Sequence, residues 1–124
     1  MNIITLPQDQ LRDAIHVFHG WTYHEADASI DPRSLTAAYY RYWDNVDGRR
    51  ATVLGDPTRD FAAAGELLEE MPSPLLRKLW DGTGWECASG GGNGFAFAAT
   101  KEVAVCLAYY QLISGDRVEL KEET

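Results

Sequence analysis

Apolar residues return at helical spacing in the first part of the chain. Between Thr5 and Gly20, the positions Leu11, Ile15 and Phe18 fall on one side of a helix. A threonine side chain accepts hydrogen bonds from the first free N–H groups of a helix, and glycine is common just past a helix end. We therefore predict a first helix that is capped by Thr5 and ends at Gly20.

The segment that follows divides into a stretch without periodicity and a second helical pattern. Residues 21–30 show no regular spacing of apolar positions and are predicted to form a loop. Asp31-Pro32 is a typical helix start, and Asp47-Gly48 is a typical turn. A second helix is therefore predicted from Asp31 to about residue 46. Its apolar face would carry Leu35, Ala38, Tyr39, Tyr42 and Val46.

A short strand and a third helix are predicted for the middle of the chain. Residues 51–54 are rich in β-branched and apolar side chains and precede a Gly-Asp-Pro turn, which is typical of a strand. In residues 61–70 the apolar positions face one side and the glutamates the other, which is typical of an amphipathic helix. Prolines at positions 72 and 74 break that helix before a predicted helical turn through Trp80. A turn is predicted for residues 81–84.

A glycine-rich hairpin is predicted next. Residues 85–89 and 95–99 have the composition of strands, and the glycine-rich link 90–94 joins them. Glycine lets a partner's backbone approach closely, so this link is also a candidate binding loop. The alternating apolar residues of the two strands are expected to share one face: Trp85, Cys87, Phe95 and Phe97.

A buried helix and a strand complete the predicted fold. From Thr100 to about Ile113 the chain is apolar nearly all round, which is the pattern of a helix surrounded by other elements. Gly115 ends this helix. Val118 and Leu120 then alternate with charged residues in a strand that is expected at a sheet edge.

The predicted element order, ααβααββαβ, favours a single α+β domain over residues 1–124, with about four helices packed on a small, mainly antiparallel sheet. A chain of 124 residues, 45% hydrophobic and 24% charged, has the size and composition of one globular domain. It shows no secretory leader and no apolar run long enough to cross a bilayer, so we expect a cytoplasmic protein without membrane contact. Cys87 and Cys106 are then expected to be buried free thiols.

The balance of charge favours a basic partner. Asp and Glu number 19 against 11 Lys and Arg, which gives a net charge of -8. Binding to a phosphate backbone needs clustered cations that displace counterions, so direct binding to nucleic acid is not expected. An acidic surface instead attracts a partner protein with a basic surface. Glu66, Glu69 and Glu70, on the outer face of the third predicted helix, are the expected electrostatic contact.

Aromatic residues crowd the second predicted helix, together with arginines. Tyr39 and Tyr42 are expected to face the core, which leaves Tyr40 and Trp43 toward another side, next to Arg41. Exposed Tyr, Trp and Arg side chains concentrate binding energy at protein interfaces. We therefore expect Tyr40, Arg41 and Trp43 to anchor a protein partner. The alternative is a wide apolar face that another element covers.

Three histidines near the end of the first helix raise the alternative of a metal site. His16 and His19 lie one turn apart, and His24 follows after the glycine with Glu25 beside it. Imidazole and carboxylate groups are zinc ligands. The spacing matches no established zinc pattern, and a histidine at a helix end also has a purely electrostatic use. No metal is therefore predicted, and a site at His16, His19 and His24 is kept as the alternative.

Two short segments resemble the NAD-contacting segments of ADP-ribosyltransferases. They are residues 18–22, Phe-His-Gly-Trp-Thr, and residues 92–98, Gly-Asn-Gly-Phe-Ala-Phe-Ala. The resemblance implies that His19 holds the nicotinamide ribose and that Gly92 and Gly94 lie in a cofactor-binding segment. Ala96 stands where the poly-ADP-ribose polymerase branch has its stacking tyrosine. A catalytic glutamate is expected downstream, where the chain offers Glu119, Glu122 and Glu123.

The sequence supports two hypotheses of function. The first is a small acidic binding or inhibitory protein that needs no cofactor and occupies a basic, nucleic-acid-binding surface of its target. Phage-encoded inhibitors such as anti-CRISPR proteins, and toxin-immunity proteins, work in this way. The second is an enzyme that handles NAD or another nucleotide through His19, Gly92 and Gly94.

Overall fold

The structure is a computed structural model that describes residues 3–25, 41–51, 54–90 and 94–121. These residues form a mixed α/β fold with three helices and eight strands. The helices are α1 (Gln8–Phe18), α2 (Phe61–Glu70) and α3 (Lys101–Ser114). The strands are β1 (Ile3–Leu6), β2 (Trp21–Glu25), β3 (Arg41–Asn45), β4 (Arg50–Ala51), β5 (Leu75–Lys78), β6 (Trp85–Ala88), β7 (Phe95–Ala98) and β8 (Arg117–Leu120).

The chain separates into two compact units. The first comprises Met1–Ile15 and Asp56–Thr124, and the second comprises His16–Gly55. The division falls within α1, whose last residues belong to the second unit. One domain over residues 1–124 stays a prediction.

Helix α3 is the centre of the first unit's core, as its apolar sequence predicts. The Thr100 hydroxyl accepts a hydrogen bond from the Val103 N–H, and Gly115 ends the helix in the left-handed conformation with φ 77°. Every residue from 103 to 109 is buried. The buried side chains around α3 come from five other elements and from the residue that follows α2: Leu11, Ile15, Ala64, Leu67, Met71, Cys87, Ala96 and Val118.

Helix α2 confirms the third predicted helix. Asp60 is its N-cap, and the Asp60 carboxylate accepts a hydrogen bond of 3.0 Å from the Ala62 N–H. Ala64 and Leu67 are buried on one side. The periodicity of the sequence therefore predicted this helix correctly, although Phe61, one of its apolar residues, is exposed.

Strands β5, β6 and β7 form an antiparallel sheet in that order. The predicted hairpin strands are β6 and β7, which pair Cys87 with Ala96 and Glu86 with Phe97. Directly paired residues share a sheet face, so the buried Cys87 and the half-exposed Phe97 lie on opposite faces. One shared face for Trp85, Cys87, Phe95 and Phe97 is therefore wrong. Gly90 and Gly94 of the link are described, and residues 91–93 lie outside the described residues.

Strands β1 and β8 form a separate parallel pair, with Ile4 opposite Val118. The strand predicted around Val118 is confirmed. The helix cap predicted at Thr5 is wrong, because Thr5 lies within β1 and α1 begins at Gln8. The chain turns into the helix through Pro7, whose carbonyl accepts a hydrogen bond of 3.0 Å from the Leu11 N–H.

The second unit contains the antiparallel sheet β2-β3-β4. Residues 21–25, predicted as a loop, form β2, and residues 41–45, predicted as helix, form β3. The remainder of that predicted helix, residues 31–40, lies outside the described residues. Asp47-Gly48 is the turn of the β3–β4 hairpin, where the Asn45 N–H donates to the Arg49 carbonyl (2.8 Å). The second predicted helix is therefore wrong for residues 41–45. The described part of the chain contains three helices instead of the four predicted.

Two further predictions need correction. The strand predicted for residues 51–54 is described only as β4, Arg50–Ala51, since residues 52 and 53 lie outside the described residues and Leu54 is not in a strand. The helical turn predicted before Trp80 is instead strand β5. The turn at residues 81–84 is confirmed, and the Leu79 N–H donates to the Gly84 carbonyl across it (2.8 Å). No helix in the described part of the chain is both long and apolar enough to span a membrane.

Candidate binding site

One face of the β5-β6-β7 sheet turns away from the core and carries apolar side chains. Strand pairing places Leu75, Ala88 and Phe95 in one row and Arg77, Glu86 and Phe97 in the next. These six residues are called the outer sheet face. The opposite face contributes Cys87 and Ala96 to the core, with Leu76, Trp85 and Ala98 packed against it.

The outer sheet face leaves large apolar side chains in water. Leu75, Phe95 and Phe97 are 47%, 48% and 54% exposed, and the two phenylalanine rings meet edge to face with centroids 4.9 Å apart. Arg77 forms an ion pair with the buried Glu86 beside them. A cluster of half-exposed aromatic and aliphatic side chains around an ion pair is typical of a protein interaction site.

A third exposed aromatic residue lies in the turn that joins β5 and β6 of this sheet. Trp80 is 97% exposed. The turn is ordered by Asp81, whose carboxylate accepts hydrogen bonds from the Thr83 N–H (3.0 Å) and hydroxyl (2.7 Å). These hydrogen bonds lower the pKa of Asp81. A fixed turn therefore presents the indole of Trp80 to solvent.

A groove of about 470 Å³ separates β7 from β8. Leu107 and Gln111, one turn apart on α3, line it together with residues 95–99 of one wall and residues 117–120 of the other. The carboxamide of the buried Gln111 joins the two walls. Its Nε2 donates to the Phe95 carbonyl (2.5 Å), and its Oε1 accepts from the Val118 N–H (3.1 Å).

A second cavity, of about 350 Å³, shares Ala99 and Leu120 with this groove. Its polar lining includes Arg59, which donates to the Asp56 carboxylate (2.7 Å). Partial burial of Asp56 opposes its ionisation, but hydrogen bonds from Thr58 and Arg59 outweigh that effect and lower the pKa of Asp56. An ionised Asp56 therefore fixes the turn that leads into α2.

The aromatic anchors predicted from the sequence do not form one exposed cluster in the described residues. Trp43 is only 9% exposed, because its ring packs against Tyr23 (5.0 Å between centroids) and His16 (5.4 Å). The expectation that Trp43 is exposed is therefore corrected. Tyr40 and the side chain of Arg41 lie outside what the structure describes.

The three glutamates of the predicted acidic contact all lie on α2. Glu66 and Glu69 are exposed on α2. Glu70 is also exposed, but its carboxylate accepts a hydrogen bond from the buried Tyr109. Burial and this acidic neighbour raise the pKa of Tyr109. The Glu70 carboxylate therefore has a hydrogen-bond partner within the fold.

The three histidines of the alternative metal site have separate surroundings. His16 is buried against Trp43, whereas His24 stacks on Tyr42 (4.9 Å between centroids) and lies 3.4 Å from the Asp44 carboxylate. His19 contributes its backbone carbonyl to the Asn45 side chain. Within the described ranges, no three His, Cys, Asp or Glu residues are grouped so that they could hold a metal ion.

The two cysteines are free and buried, as predicted. Burial raises the pKa of the Cys87 thiol to about 11 and also raises that of Cys106. The thiolate, which is the nucleophilic form, is therefore scarce at neutral pH.

The residues of the ADP-ribosyltransferase resemblance divide between the two units. His19 belongs to the second unit, and Gly94 and β7 belong to the first. Gly92, Glu122 and Glu123 lie outside the described residues. Glu119 lines the groove opposite β7.

Comparison with protein families, with curated proteins and with solved structures found no match to this chain.

Sequence reasoning missed Trp80, the outer position of Phe95 and Phe97, and the bridge made by Gln111. The signal for Gln111 was present, since it is the one amide in the otherwise largely apolar sequence of α3. A buried amide needs hydrogen-bond partners.

Proposed function

We propose that this chain is a small acidic binding protein that occupies the surface of a basic partner protein. The observation that carries the proposal is the outer sheet face, where Leu75, Phe95 and Phe97 are about half exposed beside the Arg77–Glu86 ion pair. Burying such side chains against a partner would remove apolar area from water, and aromatic residues supply much of the energy of interfaces. The net charge of -8 supports a partner of opposite charge.

The test combines capture of a partner with a matched pair of variants. Tagged wild-type protein is used to capture partners from a lysate of the organism that encodes it, at low and at raised salt, and the captured protein is purified for calorimetry. Phe97→Ala should weaken binding by about thirtyfold, the scale of an interface hot spot. Val46→Ala is the control, because Val46 is also an exposed apolar residue but lies in the second unit.

The outcomes separate the proposal from its rivals. Equal binding by wild type, Phe97→Ala and Val46→Ala would show that the outer sheet face is not the interface. Failure to capture any protein at low salt would count against a binding function altogether. Circular dichroism shows whether both variants are folded. Little change in stability is expected from either substitution, because both side chains are exposed.

A second candidate function is an enzyme that handles NAD. The observation that favours it is the groove, where Phe95–Ala98 and Glu119 lie on facing walls. The ADP-ribosyltransferase resemblance implies NAD contact for residues 92–98, and Glu119 is one of the three downstream glutamates that could be catalytic. If NAD binds there, it should raise the melting temperature by mass action, and Glu119→Gln should abolish turnover of NAD. An unchanged melting temperature at saturating NAD would remove this candidate.

A further inference from the structure

Across the groove between β7 and β8, one side-chain amide makes the two hydrogen bonds that a strand between them would make. A peptide group in a β-strand donates its N–H to one neighbouring strand and accepts through its carbonyl from the other. The carboxamide of Gln111 does the same, since it donates to Phe95 of β7 and accepts from Val118 of β8. The Gln111 amide therefore stands where one peptide group of an intervening strand would stand.

The β7 edge of the groove carries further backbone groups that point into it. On the other side of β7, the Ser89 N–H donates to the Gly94 carbonyl (2.6 Å), which fixes the phase of hydrogen bonding with β6. Bonded positions alternate along an antiparallel pair, so the backbone of Phe97, like that of Phe95, points away from β6. Gln111 serves Phe95, and none of the described residues bonds to the backbone N–H of Phe97.

The β8 edge has the matching arrangement. The Lys121 N–H donates to the Leu6 carbonyl of β1 (2.7 Å), so the alternate residues Val118 and Leu120 turn their backbone groups away from β1. Gln111 serves Val118, and within the described ranges no residue bonds to the N–H of Leu120. Beyond Gln111, the edges of β7 and β8 thus face each other with backbone groups that bond to none of the described residues.

We infer that this groove binds an extended segment of the protein partner, which inserts as a strand between β7 and β8 and joins the two sheets into one. The inference rests on the proposed function of protein binding and names its site. Both flanking strands have four residues, and Gln111 already bonds the first half of each, at Phe95 and Val118. The inserted segment therefore pairs with the remaining half of each strand and is about two residues long, or about 7 Å. Small or apolar side chains fit against Leu107 on the groove floor, and Lys or Arg on the flanks suits the acidic chain.

The test uses random displayed peptides of about eight residues, which are selected on the wild-type protein and then synthesised with fluorescent labels. Each central residue is N-methylated in turn, which removes one backbone donor. An inserted strand is bonded on both sides, so methylation at every central position should weaken binding by about tenfold. Addition to a single edge would make only alternate positions sensitive, and recognition by side chains alone would make none sensitive. Either pattern overturns the inference.

Two variants of one residue test the protein side. Phe97→Ala removes the side chain and keeps the edge N–H, whereas Phe97→Pro also removes that N–H. Proline is tolerated in an edge strand where the N–H points outward. Selected peptides should bind Phe97→Pro at least about tenfold more weakly than Phe97→Ala. Equal affinities, with both variants folded by circular dichroism, would refute strand insertion.

Three other results would also overturn strand insertion. Failure to select any peptide overturns the inference, as does displacement of the selected peptides by NAD. A wild-type dimer in light scattering that Phe97→Pro dissociates would assign the groove to a second copy of this chain, which also overturns it. The inference and the proposed function fail separately. A captured partner whose binding is weakened by Phe97→Ala, and no further by Phe97→Pro, would refute strand insertion and leave protein binding intact.

Discussion

Replacement of Gln111 by leucine tests the bridge between the two sheets. Leucine fills nearly the same volume but neither donates nor accepts, so Gln111→Leu leaves the Phe95 carbonyl and the Val118 N–H without their partner. An unsatisfied buried polar group costs about 1–3 kcal/mol, so two such groups give a loss of about 2–6 kcal/mol. For a chain of this size, that loss lowers the melting temperature by about 10 °C or more.

The assay is thermal and urea unfolding followed by circular dichroism, with Gln10→Leu as the control. Gln10 is an exposed residue of α1, and the same chemical change there should alter stability by less than about 0.5 kcal/mol. Gln111→Glu separates hydrogen bonding from packing, because the new carboxylate still accepts from Val118 but donates to Phe95 only when protonated. This variant should recover stability as the pH falls. The two hydrogen bonds contribute nothing to stability if Gln111→Leu has the same melting temperature and urea midpoint as Gln10→Leu, and that result would refute the prediction.

Three further predictions concern the first unit. Gly84→Ala should destabilise the protein by more than about 1 kcal/mol in urea unfolding, because its Cβ would lie 2.6 Å from a backbone carbonyl, whereas Gly65→Ala meets open space in a helix and should stabilise it by up to about 1 kcal/mol. The lowered pKa of Asp56 stabilises the fold above the ordinary carboxyl pKa. The advantage of wild type over Asp56→Asn should therefore shrink as the pH falls through the pKa of Asp56 in the folded protein; a pH-independent difference would contradict this. Cys87 should react with a thiol reagent at mildly alkaline pH only after denaturant is added, and prompt reaction of the native protein would contradict its burial.

The elements that the sequence predicted well are those in which one periodicity dominates. In α3 the apolar residues, the Thr100 cap and the Gly115 stop all indicate the same helix, and the structure contains it. In β3 the signals conflict. Tyr42 and Val46 fall on a helical spacing by coincidence. The aromatic residues Tyr42 and Trp43 favour a strand, and Asp47-Gly48 is a common hairpin turn. The hairpin signal was the better guide.

The outer sheet face could not be predicted from the sequence, because a hairpin's faces depend on its register. Phe95 and Cys87 both lie in alternating apolar strands, and either could face the core. Phe95 pairs with Ala88, and a shift of the register by one residue would exchange the two faces of β7. The glycine-rich link allows several turn geometries, so composition does not fix the pairing. Only the three-dimensional pairing shows that Phe95 and Phe97 remain exposed.

Gln111 shows how a single polar residue connects sequence to site. Because it lies in an apolar helix, its amide needs hydrogen-bond partners inside the protein, and this requirement follows from the sequence. Those partners belong to β7 and β8, which are separate in the sheet order, so the sequence could not name them. Because this one amide bonds to both strands, it holds β7 and β8 far enough apart for one strand to lie between them. The residue that stabilises the core thereby also keeps the two edges apart, and the space it maintains beyond Phe95 and Val118 has the hydrogen-bonding pattern of a peptide.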